Sequence, residues 1–249
     1  MTATRAIVTG HSRGLGAAVA EQLLSREVTV LAISRKRAPS LAKSFPRTLQ
    51  EVQLDLADVA ALTHWLDKPV LKGFLADAKT AVLVNNAGLL QPVGPLITQD
   101  PATVGQAVSV NLAAALMLSA ALAQVAEPGA DRRILHVSSA AGSKAYRGWA
   151  IYCATKAALD HHARCVKLDD VPNLRISSVA PGLIDTEMQT EIRASSIENF
   201  PDRKRFEEFK ERGELRQPRD VAARLVDYLL SASFGSQPVI DLHAEVPRP

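Results

Sequence analysis

An α/β fold built on one doubly wound parallel sheet follows from three features of the 249-residue sequence. Short apolar runs alternate with longer helical patterns. The apolar runs are continuous rather than alternating, as strands covered on both faces require. Gly10, Gly14 and Gly16 fall where the first such run gives way to the first helical stretch, the place where these folds turn to meet a phosphate.

Taken in order, Ala6-Ile7-Val8 reads as a strand and residues 14 to 26 as a helix. Val28 to Ile33 is the second strand, followed by a short helix and a third strand over Leu49 to Leu54. Residues 58 to 77 read as one helix before the strand Ala81-Val82-Leu83-Val84. A long Ala/Leu-rich helix over 101 to 126 leads to the strand Arg133 to Val137. A helix through Tyr152 follows, then Arg175 to Val179 as another strand. Residues 183 to 216 break the pattern, being polar, charged and without a strand. They are expected to lie as helices over the carboxyl edge of the sheet, where such folds bind ligands. With no repeat, low-complexity tract or linker, residues 1–249 read as a single domain with a helical lid at 183–216.

Composition narrows the function classes. The chain is 47% hydrophobic and 22% charged, as soluble enzymes are, and its net charge of +3 is too small and scattered for nucleic acid. Cys153 and Cys165 form neither a disulfide framework nor a metal cluster, which fits a reducing cytoplasm. The first residues run straight into a strand, leaving no room for a signal peptide, and no apolar run approaches the roughly 20 residues of a membrane helix.

The glycine-rich turn Thr9 to Gly16 joins the first strand to the first helix. Its spacing is GxxxGxG rather than GxGxxG, but the glycines serve the same end: a sharp turn, a close approach to pyrophosphate and a helix N-terminus aimed at it. Gly10, Ser12, Arg13, Gly14, Leu15 and Gly16 are therefore candidate dinucleotide ligands. An acid at the end of the second strand would select NAD; this chain has Ser34-Arg35-Lys36-Arg37. Ser34 and Arg35 are suited to a 2′-phosphate, with Arg13 as a second cation, so the expected cofactor is NADP(H).

Tyr152 and Lys156 stand one helical turn apart on one face, with Ser139 thirteen residues upstream of the tyrosine. A free phenol titrates near pH ~10, and a neighbouring ammonium is expected to pull that value down toward the working range. A hydroxyl from Ser139 would help hold a carbonyl oxygen beside the phenol.

Together these residues resemble the short-chain dehydrogenase/reductase family over nearly the whole chain. The glycine motif falls on Gly10, Gly14 and Gly16, the Asn-Asn-Ala-Gly motif on Asn85 to Gly88, and the Tyr-x-x-x-Lys pair on Tyr152 and Lys156. The family's serine falls on Ser139, its asparagine on Asn111, and its Pro-Gly turn on Pro181 and Gly182 with Thr186 beyond. The resemblance implies a Rossmann-type fold with Tyr152 as general acid in reduction, Lys156 on the nicotinamide ribose, and Ser139 orienting the substrate oxygen. It also implies that Asn111 anchors a water relaying protons through Lys156. Asp55 and Leu56 would flank the adenine, Asn86, Ala87 and Gly88 would line the cofactor's far side, and Pro181, Gly182, Ile184 and Thr186 would hold the nicotinamide end.

Gly148 to Ala154 and Ala180 to Gln189 are similar, within the family, to sepiapterin reductases and bacterial benzil reductases. That likeness implies a substrate-anchoring role for Asp241, which otherwise reads as a strand-end aspartate facing water, and brings in Met188. Trp149 suits a pocket wall or simple packing. His161 and His162 lack acidic partners at metal spacing and read as surface or packing residues, as does Cys153, turned about 100° from Tyr152. The expected function is an NADPH-dependent carbonyl reductase acting on a small-molecule ketone, a vicinal diketone or a pterin side chain. It is expected to work as a homodimer or homotetramer, with no metal, nucleic acid or membrane partner. An NADP-dependent alcohol dehydrogenase on a polyol or hydroxy-steroid, and a non-catalytic NADP(H)-binding sensor, are the alternatives.

Overall fold

A computed structural model describes residues 3–127 and 129–242. Seven strands form one sheet: β1 (Thr4–Thr9), β2 (Thr29–Ser34), β3 (Leu49–Gln53), β4 (Thr80–Asn85), β5 (Asp131–Val137), β6 (Leu174–Ala180) and β7 (Val239–Asp241). Their order is β3-β2-β1-β4-β5-β6-β7, and every ladder is parallel. The direction of winding reverses between β1 and β4, opening a crevice at their carboxyl ends.

Alternate residues of each strand feed two cores, as a period of two demands. Ala6, Val8, Val82 and Val84 face one core with helices α1 (Gly14–Leu24) and α10 (Pro218–Leu230). Ile7, Leu31, Leu83 and Ile134 face the other. That second core is closed by α3 (Val59–Leu66), α4 (Val70–Leu75), α6 (Ala114–Val125) and α7 (Ala150–Leu168). The remaining helices are α2 (Pro39–Ser44), α5 (Pro101–Val108), α8 (Glu187–Ala194) and α9 (Arg203–Glu211).

Four expectations need correction. The helix expected over 58–77 is two helices, parted at Pro69, because a proline disfavours helical backbone in the residue before it. The helix expected over 101–126 is interrupted by a π-turn at Ser109–Ala113, centred on Asn111. The 183–216 segment carries α8 and α9 as anticipated, but it also closes with a parallel bridge between Ile184 and Arg216. Finally, Pro101–Val125 is long and apolar enough to cross a membrane by length and composition, since no charge interrupts it. Here Ala114, Leu118 and Leu122 of this stretch pack into the core beneath the sheet.

Beneath that core β5 carries a buried polar column. The Asn85 amide donates to His136 Nδ1 (3.1 Å) and to Ser119 Oγ (3.2 Å), and His136 Nε2 meets His162 Nδ1 at 3.0 Å. With Nδ1 accepting and Nε2 donating, a neutral ring satisfies both contacts, whereas a proton on Nδ1 would face the Asn85 amide. Burial, reinforced by His162 and Lys156, pushes His136 from 6.5 down to about 3. The unfolded chain therefore binds the extra proton between these values. The stability that the neutral ring supports is complete above pH 6.5 and drains away as pH falls toward 3. Between pH 7 and pH 5 urea melts should lose about 2 kcal/mol. His136→Gln should remove most of that loss; an unchanged pH dependence in the variant would count against this assignment.

Candidate active site

The crevice between β1 and β4 deepens into a cavity of about 580 Å³ along the carboxyl edge of the sheet. At one end lies the glycine turn. Gly10 takes a left-handed backbone (φ 72°), and its N–H donates to Ile33 O at 2.8 Å. Asn86 holds the turn from behind, donating its amide to Thr9 O (2.9 Å) and Gly10 O (3.3 Å). Thr9 Oγ1 accepts the N–H groups of Asn86 and Ala87, each at 3.0 Å. Contact is so close here that a Cβ on Gly16 would lie 2.2 Å from Gly10 O and 2.3 Å from Asn86 Nδ2. The first turn of α1 has no side-chain cap, and Gly14, Leu15 and Gly16 line the cavity. Uncapped N–H groups at a helix start beside a glycine cradle fit the pyrophosphate of a dinucleotide.

Beyond the cradle, Ser34, Arg35, Lys36, Asp55 and Leu56 line the same cavity, with Arg35 and Lys36 exposed. Arg37 turns away to Gln53 Oε1 (3.3 Å). Arg13 also lines the cavity, but it is paired with Glu187 of α8, so the glycine turn is tied to the lid. A contact not foreseen stiffens this end. Glu51 Oε1 accepts from the Ala38 N–H (2.7 Å) and meets His11 Nε2 (2.8 Å), joining the glycine turn to the loop after β2. Burial works to raise the Glu51 carboxyl, yet the contacts with His11 and Ala38 outweigh it and hold it below the usual range.

At the middle of the cavity stand Ser139, Tyr152 and Lys156. Ser139 caps a short 3-10 turn, Ala140–Gly142, accepting the Ala141 N–H at 3.2 Å. Tyr152 is 7% exposed. Burial pushes its phenol up to about 12, opposed by the Ser139 hydroxyl. The lowered phenol expected from the Tyr-Lys spacing is therefore not what this site holds. Burial of the phenol decides this, while the Lys156 ammonium lies 5.6 Å from the centre of the tyrosine ring and donates to Val137 O at 2.7 Å. Burial pushes Lys156 itself down to about 8, against the pull of Asp160.

Asn111 stands one layer behind the cavity, where the π-turn throws its side chain toward the strand-to-loop exit of β4. Its Oδ1 accepts from Leu89 N–H (2.7 Å) while Nδ2 donates to Leu89 O (2.9 Å) and Thr155 Oγ1 (3.3 Å). The Thr155 hydroxyl passes the link on to Tyr152 O at 2.9 Å. The side chain thus clamps the segment after Gly88 to the tyrosine helix. Gly88 lies between the two, a Cβ there being 3.6 Å from Asn111 Oδ1 and 3.8 Å from Lys156 Nζ.

The far end is aromatic. Trp149 is buried, stacks on Phe200 (4.5 Å between centres, 5° between planes), and meets Tyr152 edge-on at 5.6 Å. Tyr146 and Phe206 complete the cluster at 5.1 and 5.4 Å from Trp149. Trp149 therefore both packs and walls the cavity, Met188 lines it from α8, and Asp241 lines it at the exposed end of β7. Pro181, Gly182, Ile184 and Thr186 lie between. The lid aromatics were missed from the sequence, although three of the six phenylalanines fall on this otherwise polar segment. His162 packs against His136, His161 is exposed, and Cys153 is part-buried beside the aromatic cluster, its thiol pushed up by burial. Among the described residues, no group of His, Cys, Asp or Glu could hold a metal.

A parallel doubly wound sheet with a phosphate cradle at its switch point, and a Ser-Tyr-Lys set at the same edge, defines an oxidoreductase of the dinucleotide-dependent class. The chain belongs to the short chain dehydrogenase family, whose model matches residues 4–196. It is 35% identical to a benzil reductase ((S)-benzoin forming) of Bacillus cereus, over 94% of this chain and 97% of that one. It is 30% identical to the sepiapterin reductase of Bos taurus, over 97% and 95%. Among solved structures, a short-chain dehydrogenase/reductase from Burkholderia vietnamiensis matches at 46% identity and TM-score 0.72, covering 98% of this chain and 99% of that one.

The Asn111 clamp is testable. Asn111→Ala strands the Leu89 N–H and carbonyl without partners and should cost about 1–3 kcal/mol in urea melts. A loss of a few tenths only would mean that the clamp carries little.

Proposed function

We propose that this protein is an NADPH-dependent carbonyl reductase whose substrate is an aromatic vicinal diketone. The observation that carries the reading is the aromatic wall of Trp149, Phe206 and Tyr146 set directly against Tyr152 and Ser139. Such a wall favours a flat aryl ketone, although Tyr146, Gln189, Arg205 and Asp241 also bring polar groups to the cavity. The benzil reductase relative supports the same class. When bound, the nicotinamide supplies the hydride.

The rest belongs to the chain's own groups. Ser139 and Tyr152 hold the ketone oxygen, which polarises the carbonyl. Tyr152, held near 12, keeps its proton through neutral pH and gives it to the oxygen as charge develops there. Lys156 lies within reach of the phenol's surroundings to restore charge balance, and Asn111 borders its route to solvent past Gly88. Residues 183–216 act as the lid that excludes water. Arg35, with Ser34 behind it, receives the 2′-phosphate, and the lack of an acid at this strand end supports NADPH over NADH. Gly10, Ser12, Gly14, Leu15 and Gly16 take the pyrophosphate, and Asn86, Ala87 and Gly88 line its far side. Much of the apolar face of α5 and α6 lies outside both cores, which supports a homodimer or homotetramer.

A second reading, a pterin side-chain ketone anchored by Asp241, is favoured by the place of that carboxylate on the cavity wall. Asp241→Ala should weaken pterin turnover while sparing benzil; equal losses on both would remove the anchor.

NADPH oxidation against benzil, other diketones, sepiapterin and simple aldehydes tests the substrate class. With the best substrate, Tyr152→Phe should lower kcat by about 10²–10⁴ while dinucleotide binding persists. Retention of full activity would overturn the role of the phenol. Arg35→Asp should shift the NADPH-to-NADH ratio of kcat/KM by about tenfold or more toward NADH, equal to about 1.4 kcal/mol. An unmoved ratio would remove Arg35 from the cofactor assignment.

A further inference from the structure

One buried charge takes no part in the chemistry above. Asp160 lies one turn beyond Lys156 on α7, 4% exposed. Taking a carboxylate out of water is costly unless donors and an opposite charge meet it. Here Ser178 Oγ on β6 donates to Asp160 Oδ1 at 2.6 Å, the length of a charge-assisted bond. On the other side the carboxylate abuts the turn that carries Ser139. A Cβ on Gly142 would lie 2.3 Å from Asp160 Oδ2 and 3.1 Å from Ser138 Oγ. The next cation along the helix, Arg164, is exposed, whereas Lys156 is buried one turn before Asp160, near enough to feel its charge without forming an ion pair.

We infer that Asp160 is a positioning residue: its carboxylate keeps the buried Lys156 ammonium charged and seats the Ser139 turn against β6. This rests on Lys156 and Ser139 serving the reaction proposed above. The groups around Lys156 leave Asp160 as its one anionic neighbour among the described residues. Tyr152 on its own helix keeps its proton, Val137 O on β5 is a neutral acceptor, and His136 beside it is neutral with His162 behind. Desolvation drives the lysine toward its neutral form and the Asp160 charge opposes it. Gly142 has no side chain because the carboxylate occupies that space.

The test is Asp160→Asn in the full chain, isosteric and neutral. Lys156 is followed by NMR of lysine labelled with ¹³C at the ε-carbon, assigned with Lys156→Arg. The Lys156 titration should fall by about one unit or more relative to the parent protein. The kcat/KM for NADPH-dependent diketone reduction should be near parental at pH 6.5 and about tenfold lower at pH 8.5. Ser178→Ala keeps the charge and serves as the control for lost contacts, with lower melting temperature but an unmoved Lys156 titration. Should Asp160→Asn not fold, Asp160→Ser, smaller and neutral, replaces it. A Lys156 titration that stays within about 0.3 unit, or one that Ser178→Ala moves equally, overturns the inference. Were the parent protein to reduce no ketone, the functional reading would fail while the NMR titration still decided the role of Asp160.

Discussion

The bond from the Lys156 ammonium to the Val137 carbonyl, 2.7 Å long and fully buried, is the constraint from which the site takes its form. A buried ammonium needs acceptors, because the cost of leaving it unpaired far exceeds that of one neutral hydrogen bond. Val137 is the last residue of β5, and the chain then turns through Ser138 and Ser139. Its carbonyl is thus available to a side chain from α7. Once the ammonium takes it, the depth of α7 against the sheet is fixed. Tyr152, one turn earlier on the same face, is then held at the sheet edge beside Ser139. The position of the phenol follows from where a lysine can be satisfied.

Much of this was legible in the sequence, and for identifiable reasons. Strands buried on both faces are largely apolar, so Ala6 to Val8 and Ala81 to Val84 announced themselves, while Arg175 to Val179 showed only through Ile176 and Val179. The cradle was legible because close backbone approach at Gly10 and Gly16 admits only glycine. The features that escaped depend on contacts distant in sequence. The π-turn at Asn111 exists because the side chain must reach Leu89, and no local periodicity encodes that. Glu51 reads as an ordinary strand-edge acid until the fold brings His11 to it. Helix α10, by contrast, is encoded locally: Val221, Ala222, Leu225, Val226 and Leu229 form an apolar stripe behind Pro218.

The two ends of the segment over residues 183–216 are held by different physics. At the cofactor end, Arg13 and Glu187 are both about two-thirds exposed, and such a pair contributes little in water. At the substrate end, Phe200 and Phe206 are buried against Trp149, and the lid backbone rests directly on Gly148. A Cβ at Gly148 would lie 2.0 Å from Asn199 O. The aromatic end is therefore the more firmly held of the two, and the Arg13–Glu187 end the more weakly held.

Burial of the phenol also sets the protonation state in which it meets a substrate. A tyrosine brought down toward neutrality by a cation would serve equally as acid or base near pH 7. Tyr152, 7% exposed and held near 12, instead carries its proton throughout the physiological range. A group in that state is suited to giving a proton to a developing alkoxide, whose own affinity for the proton is higher still. The reverse reaction starts from the ionised phenol, so burial moves the pH at which each direction is fastest and leaves the equilibrium between them untouched. The same aromatic cluster that shapes the substrate wall is what dries the phenol. The shape of the cavity wall and the protonation state of the phenol thus share one physical cause.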